Sequence, residues 1–309
     1  MDGFPFLPTE DPASLSVPGA VQRTLRTPIG CTGVGLHSGL AVSVRLVPAP
    51  AHHGIVFFRT DLGIAIPARF DCVVDTRLCT VIGVDNARVG TIEHLMAALA
   101  ASGIDNLVVE VDQAEIPVLD GSAEPWLFLL DCAGFELQSA PRAVIEVLRT
   151  VRVEDSDAFA ELRPGHDGLA MALSIAFDAT AIGRQALTFT LEPESFRRDL
   201  ARARTFAQKH EIEALQRMGL ARGGSLDNAV VVDGSRVLNP TGLRMADEFV
   251  RHKLLDAVGD LALAGGALQG RFIGHKSGHA LNNRLLRALF ADTANWRVAM
   301  DVSQLLIAA

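Results

Sequence analysis

The chain has 309 residues, of which 49% are hydrophobic and 21% charged, a balance that describes a compact globular protein and excludes a disordered one. Its formal net charge is −8 and its Lys and Arg residues are scattered, so no basic run is present to grip a nucleic-acid backbone. Asp or Gly interrupts the most apolar stretches well short of the roughly 20 residues that a membrane-spanning helix needs.

Residues 1–20 contain Asp2, Glu10 and Asp11 and lack a basic start followed by a long apolar run. That composition predicts a flexible leader and not a signal peptide. The four cysteines, Cys31, Cys72, Cys79 and Cys132, have no CxxC pair and no framework spacing, which fits reduced thiols in a cytoplasmic protein. From 21 to about 50 the chain reads as short strands joined by Gly-rich turns, with further strands at 54–59 and 79–84. Thr91 is a candidate N-cap for a helix over 92–101 that Gly103 ends. A strand at 106–111 and a helix over about 124–131 follow.

The polar, Pro-containing segment 138–142 predicts a domain joint. Strands are expected at 144–153, 158–162, 169–177 and 185–191. Helical material begins near Glu194, breaks at Gly223-Gly-Ser225 and resumes as a long helix over about 248–264. A strand near 268–273, a loop at 275–278 and a helix over about 280–291 close the fold. In both halves a His sits early in a helix that leads through Gly into a strand, which suggests a duplicated unit bringing His94 and His252 together.

Two segments carry the chemistry. Thr91-Ile-Glu-His-Leu95 places a carboxylate beside an imidazole, and 249–260 places His252 and Asp256 four apart on one helix face. Two His and one Asp are a sufficient set for a catalytic Zn²⁺, with Glu93 available as general base. The long helix has an apolar stripe of Val250, Leu254, Val258 and Leu261 beside a row of Glu248, His252, Asp256 and Asp260. That row reads equally as a solvated acidic face with a local His–Asp pair. Glu93 alone reads as a first-turn acid that suits the helix dipole.

Residues 274–283 (Gly-His-Lys-Ser-Gly-His-Ala-Leu-Asn-Asn) combine two glycines, Lys276 and His279 ahead of a helix. This is either a capped turn or an approach for an anionic group. Ala203-Arg-Thr-Phe206 offers a hydroxyl and an aromatic face, and Gly223-Gly-Ser225 is either a plain turn or backbone kept small for a close passage.

Together with Thr32–His37, Arg59–Asp61, Gly103–Asn106 and Glu115–Ser122, these segments resemble one family: the zinc-dependent UDP-3-O-acyl-N-acetylglucosamine deacetylases of lipid A biosynthesis in Gram-negative bacteria. The resemblance covers about 21–296. It implies an α+β fold, a two-domain β-α-α-β sandwich of duplicated sheet-plus-helix-pair units. The first domain would span 21–140 and the second 143–303, with an insert at about 205–230 forming a tunnel for the acyl chain.

The resemblance further implies that His94, His252 and Asp256 hold Zn²⁺ and that Glu93 deprotonates the zinc-bound water. Thr205, with His279, stabilises the oxyanion. His279 protonates the departing amine, held cationic by Asp260. Lys253 and Lys276 meet the diphosphate and sugar, Phe177 stacks on the uracil, and Leu36, Phe206, Ile212 and Leu226 line the tunnel. Lys209, His210 and Arg222 in the insert, and His275 before Lys276, depart from the family pattern and bear on acyl-length preference, not on the reaction. The expectation is a monomeric zinc amidohydrolase acting on an acylated UDP-sugar. Its rivals are a zinc hydrolase of another amide and a non-catalytic binder of acylated nucleotide-sugars.

Overall fold

A computed structural model describes residues 21–300, so the leader at 1–20 and the domain end at 301–303 lie outside the described residues. The chain is mixed α and β. Among the described residues its helices are α1 (Glu93–Ala101), α2 (Glu124–Ala133), α3 (Pro193–Asp199), α4 (Lys209–Arg217), α5 (Glu248–Ala262) and α6 (His279–Ala291).

The early strands form a five-stranded sheet in the order Ile29–Val34, Ala41–Pro48, Leu107–Val111, Ile55–Arg59, Ile64–Pro67. Strict alternation makes the sheet one-sided: in Ala41–Pro48, Val42, Val44 and Leu46 point inward while Ala41, Ser43 and Arg45 face water. A seven-stranded sheet is built in the later half around Ala267–His275. Leu107–Val111, which follows α1, runs antiparallel to Ala41–Pro48 and parallel to Ile55–Arg59. Ala267–His275, which follows α5, runs antiparallel to Ala158–Arg163 and parallel to Leu169–Ala176. Each large sheet is thus centred on the strand that leaves a histidine-bearing helix.

Helix α1 is built from Ala, Leu and Met, strong helix formers, and is buried on nearly all sides. Gly103, at φ +67°, ends it in the left-handed conformation that favours glycine. Helix α5 packs against α1 and α6 and also against strands Leu169–Ala176 and Arg184–Thr190. It approaches α1 so closely that a Cβ on Gly259 would stand 2.0 Å from the Glu93 carbonyl oxygen. That close approach brings the catalytic candidates on the two helices together.

Segment 138–142 falls largely in a strand, Phe135–Pro141, antiparallel to Val21–Leu25. The Gln138 amide donates to the Ala49 carbonyl at 2.8 Å and its oxygen accepts from Asn106 at 2.7 Å. The single strand over 144–153 is two, Ala143–Val147 and Val151–Asp155, because the first pairs with Ala267–His275 and Trp296–Met300 while the second pairs with Ala158–Arg163. Thr91 is no N-cap, since it lies at φ +58° and its hydroxyl donates to Glu115.

Candidate active site

The polar row of α5 is not solvated. Glu248, His252, Asp256 and Asp260 are each no more than 4% exposed, so every one of them must find a partner inside the protein. Glu248 accepts from the backbone N–H and guanidinium of Arg204 and from the Arg244 N–H. The other three face α1 and α6.

His94 Nε2 and His252 Nε2 lie 3.6 and 3.3 Å from Asp256 Oδ1. One ligand atom from each of the three residues falls within 4.8 Å of the others. His252 Nδ1–H donates to the Ala203 carbonyl at 3.0 Å, which leaves its Nε2 lone pair aimed at the same point. Asp256 Oδ2 accepts from Lys253 Nζ at 2.9 Å, but Asp256 Oδ1 is buried with no hydrogen-bond partner among the described residues. Leaving a buried acceptor bare costs about 1–3 kcal/mol, more for a charged group. A cation would satisfy this oxygen, and two imidazoles with a carboxylate are a donor set that suits zinc.

Charge is distributed around the three candidate ligands in an ordered way. Burial draws His252 down to about 4, with Asp256 opposing. Burial raises Asp256, yet His252, Lys253 and His94 together outweigh it and hold the carboxyl well below its usual range. Burial also pulls Lys253 down, and the carboxylates of Asp256, Asp260 and Glu93 more than reverse that, keeping the ammonium charged.

Glu93 is buried at the start of α1, where its Oε2 accepts from the Thr80 N–H at 3.0 Å. Burial pushes its carboxyl up against the pull of His279 and His94, as a general base requires. His279 Nε2 stands 3.9 Å from Glu93 Oε1, while its Nδ1 bonds Asp260 at 2.9 Å. Burial lowers His279, but Asp260, aided by Glu93 and Asp256, overrides it and brings the imidazole up to about 9. Asp260 is itself fixed by the Thr80 hydroxyl at 2.6 Å and the Asn282 amide at 2.8 Å. A carboxyl raised by burial and an imidazole held cationic thus stand side by side.

A cavity of about 180 Å³ opens onto this cluster. Leu36, Phe177, Thr205, Phe206 and Lys253 line it with Glu93, the three candidate ligands and His279. Thr205 is held by its N–H on the Gly121 carbonyl and by its own carbonyl on the Val230 N–H. Asp260 acts from behind, through His279. Lys276 belongs to a second cavity of about 240 Å³, which adjoins the first because Phe177 and Lys253 line both. It pairs with Asp157.

Ile212 and Leu226 do not line either cavity: Ile212 is half-buried on α4, and Leu226 is 41% exposed on the following loop. Gly223 takes the close-passage reading, for a Cβ there would meet the Gly35 carbonyl oxygen at 2.2 Å. Sequence reasoning misses Thr80, which orients both Glu93 and Asp260, as well as Leu78, Gln208 and Glu211 in the cavity wall. Thr80 sits in a strand-like run with no chemical pattern, so nothing local signals it.

Comparison with known proteins agrees with this geometry. Residues 22–291 match the family model described as UDP-3-O-acyl N-acetylglycosamine deacetylase. The chain is 50% identical to the UDP-3-O-acyl-N-acetylglucosamine deacetylase of Acidithiobacillus ferrooxidans, over 93% of this chain and 98% of that protein. It is 50% identical to the enzyme of the same name from Idiomarina loihiensis, covering 92% and 94% of the two chains. A Stenotrophomonas maltophilia enzyme of that name is 48% identical over 89% and 92%. The chain belongs to the UDP-3-O-acyl-N-acetylglucosamine deacetylase family.

Proposed function

We propose that this protein is a zinc-dependent amidohydrolase that removes acetate from UDP-3-O-(3-hydroxyacyl)-N-acetylglucosamine to give the free amine, in lipid A biosynthesis. The observation that carries the reading is the bare, buried Asp256 Oδ1 facing two imidazole nitrogens, with Glu93 and His279 in the same cavity. His94, His252 and Asp256 would hold Zn²⁺, which supplies Lewis acidity toward the amide carbonyl and lowers the pKa of water.

The chain's own residues do the rest. Glu93 takes the proton of the attacking water, its basicity raised by burial. Thr205, on the cavity wall, donates its hydroxyl to the developing oxyanion. His279, cationic through Asp260, gives a proton to the departing amine nitrogen. Lys253 keeps Asp256 ionised and adds positive charge where the cavities meet, and Lys276 adds a second cation beside it for the diphosphate. Phe177, between the cavities, offers its face to the uracil.

On this reading the acyl chain runs from Leu36 and Phe206 toward α4, where Ile212 and Leu226 offer apolar surface. The fold is a pair of duplicated units, 21–140 and 143–303, with the acyl insert at about 205–230. The enzyme would work as a cytoplasmic monomer. Among the described residues no helix is long and apolar enough to cross a membrane. Acetate release from the UDP-linked, 3-O-acylated substrate by metal-stripped protein, then after one equivalent of Zn²⁺, tests the reading. Activity that returns with zinc and is absent in Glu93→Ala supports it. Zinc binding without release points to another amide, and no zinc binding points to a binding module.

A further inference from the structure

Thr91 lies at φ +58°, two residues before Glu93. A β-branched residue adopts that conformation only where its surroundings impose it. Here the imposing group is Glu115, a buried carboxylate that does not line the cavity. Its Oε1 accepts the Thr91 hydroxyl at 2.8 Å and the His37 N–H at 2.9 Å, and its Oε2 accepts the Ser38 N–H at 2.9 Å. The backbone on either side of Glu115 grips the residue before Thr91: the Gly90 N–H donates to the Ala114 carbonyl, and the Ile116 N–H donates to the Gly90 carbonyl.

The other end of this clamp is the loop that presents Leu36 to the cavity. That loop is moulded on the same carboxylate, for a Cβ on Gly35 would stand 2.4 Å from Glu115 Oε2. Three donors converge on one side chain, and only an acceptor-only group can serve them all. A glutamine would turn its NH₂ on at least one of them.

We propose that Glu115 is a positioning residue. Its carboxylate locks Thr91 in the strained turn that aims Glu93 and His94 into the cavity, and it fixes the Leu36 loop at the same time. Building on the deacetylase reading, the seating of an acyl chain against Leu36 is mechanically tied to the alignment of the base.

The test uses the full chain as Glu115→Gln, Thr91→Val, Thr91→Ser and the double variant Glu115→Gln/Thr91→Val. Zinc content, kcat and KM for acetate release, and the absorption spectrum of the Co²⁺-loaded protein are measured for each. Glu115→Gln and Thr91→Val should bind metal, shift the cobalt spectrum alike and lose kcat on the order of 10- to 100-fold, as small misplacements of a base do. The double variant should be no worse than the poorer single one, because Glu115 reaches the base only through its contact with Thr91. Thr91→Ser, which keeps the hydroxyl, should retain more kcat than Thr91→Val and a cobalt spectrum nearer the parent's. Parental kcat in Thr91→Val, losses that add in the double variant, or a cobalt spectrum indifferent to both changes overturns the proposal. Should Glu115→Gln fail to fold, the Val and Ser variants of Thr91 decide alone. The cobalt readout needs no turnover, so a parent protein that releases no acetate sinks the deacetylase reading and still leaves this one testable.

Discussion

Gly259 packs directly on Glu93, with the missing side chain leaving room for the Glu93 carbonyl oxygen 2.0 Å from where a Cβ would lie. Mid-helix glycine ordinarily costs about 1 kcal/mol against alanine, so Gly259→Ala on an exposed helix would be stabilising. Here the obstructing atom is backbone and cannot swing aside. Overpacking costs about 1–3 kcal/mol and wins over the propensity gain. Gly259→Ala is expected to lower stability in urea unfolding and to weaken zinc binding, since it parts His94 from His252 and Asp256. A stabilised variant with unaltered zinc affinity would show that the helix contact does not set the site.

Asp256→Asn keeps the shape of the side chain and removes its charge. Losing an outer hydrogen-bond partner of a metal ligand costs roughly 10- to 100-fold in affinity, and losing a charged ligand should cost more. Competition with a chromogenic chelator measures it. Unchanged zinc affinity would remove Asp256 from the ligand set and leave the bare Oδ1 unexplained.

The candidate site is legible in the sequence to the extent that helical spacing reaches. His252, Asp256 and Asp260 share a face whatever surrounds them. Spacing does not say whether that face meets water, and the row is buried by distant elements: α1 closes over it at Gly259, α6 covers Asp260, and Arg204 covers Glu248. Thr80 and Glu115 are invisible for a different reason: their partners Asp260 and His37 lie 180 and 78 positions away in the chain. No local pattern encodes such a meeting. The missed break at Leu148 is of a third kind, because both flanking segments are strands and only their distant partner strands differ, Ala267–His275 and Trp296–Met300 for the first and Ala158–Arg163 for the second.

Glu248 offers a stability prediction separate from the chemistry. It is fully buried and holds Arg204, whose neighbours Ala203 and Thr205 orient His252 and line the cavity. Glu248→Ala strands a buried guanidinium, which costs about 3–5 kcal/mol. Denaturant unfolding should show that loss. The double variant Glu248→Leu/Arg204→Met should recover much of it, and a Glu248→Ala protein of parental stability would contradict the pairing.

The last prediction concerns pH. On the proposed mechanism His279 gives its proton to the leaving amine only while cationic, so activity should fall as pH rises through its pKa, which, against burial, Asp260 brings up to about 9. A cation in the adjoining site repels that charge and brings the limb lower in the loaded enzyme. The effect of Asp260 keeps its sign regardless, because its carboxylate accepts from His279 Nδ1 at 2.9 Å and favours the charged form. Asp260→Asn should therefore move the alkaline limb of kcat to lower pH and reduce kcat on the plateau, while Glu93 continues to set the acid limb. Profiles of kcat against pH for both proteins at saturating zinc decide the matter. A limb that stays in place would mean that a group other than His279 protonates the amine.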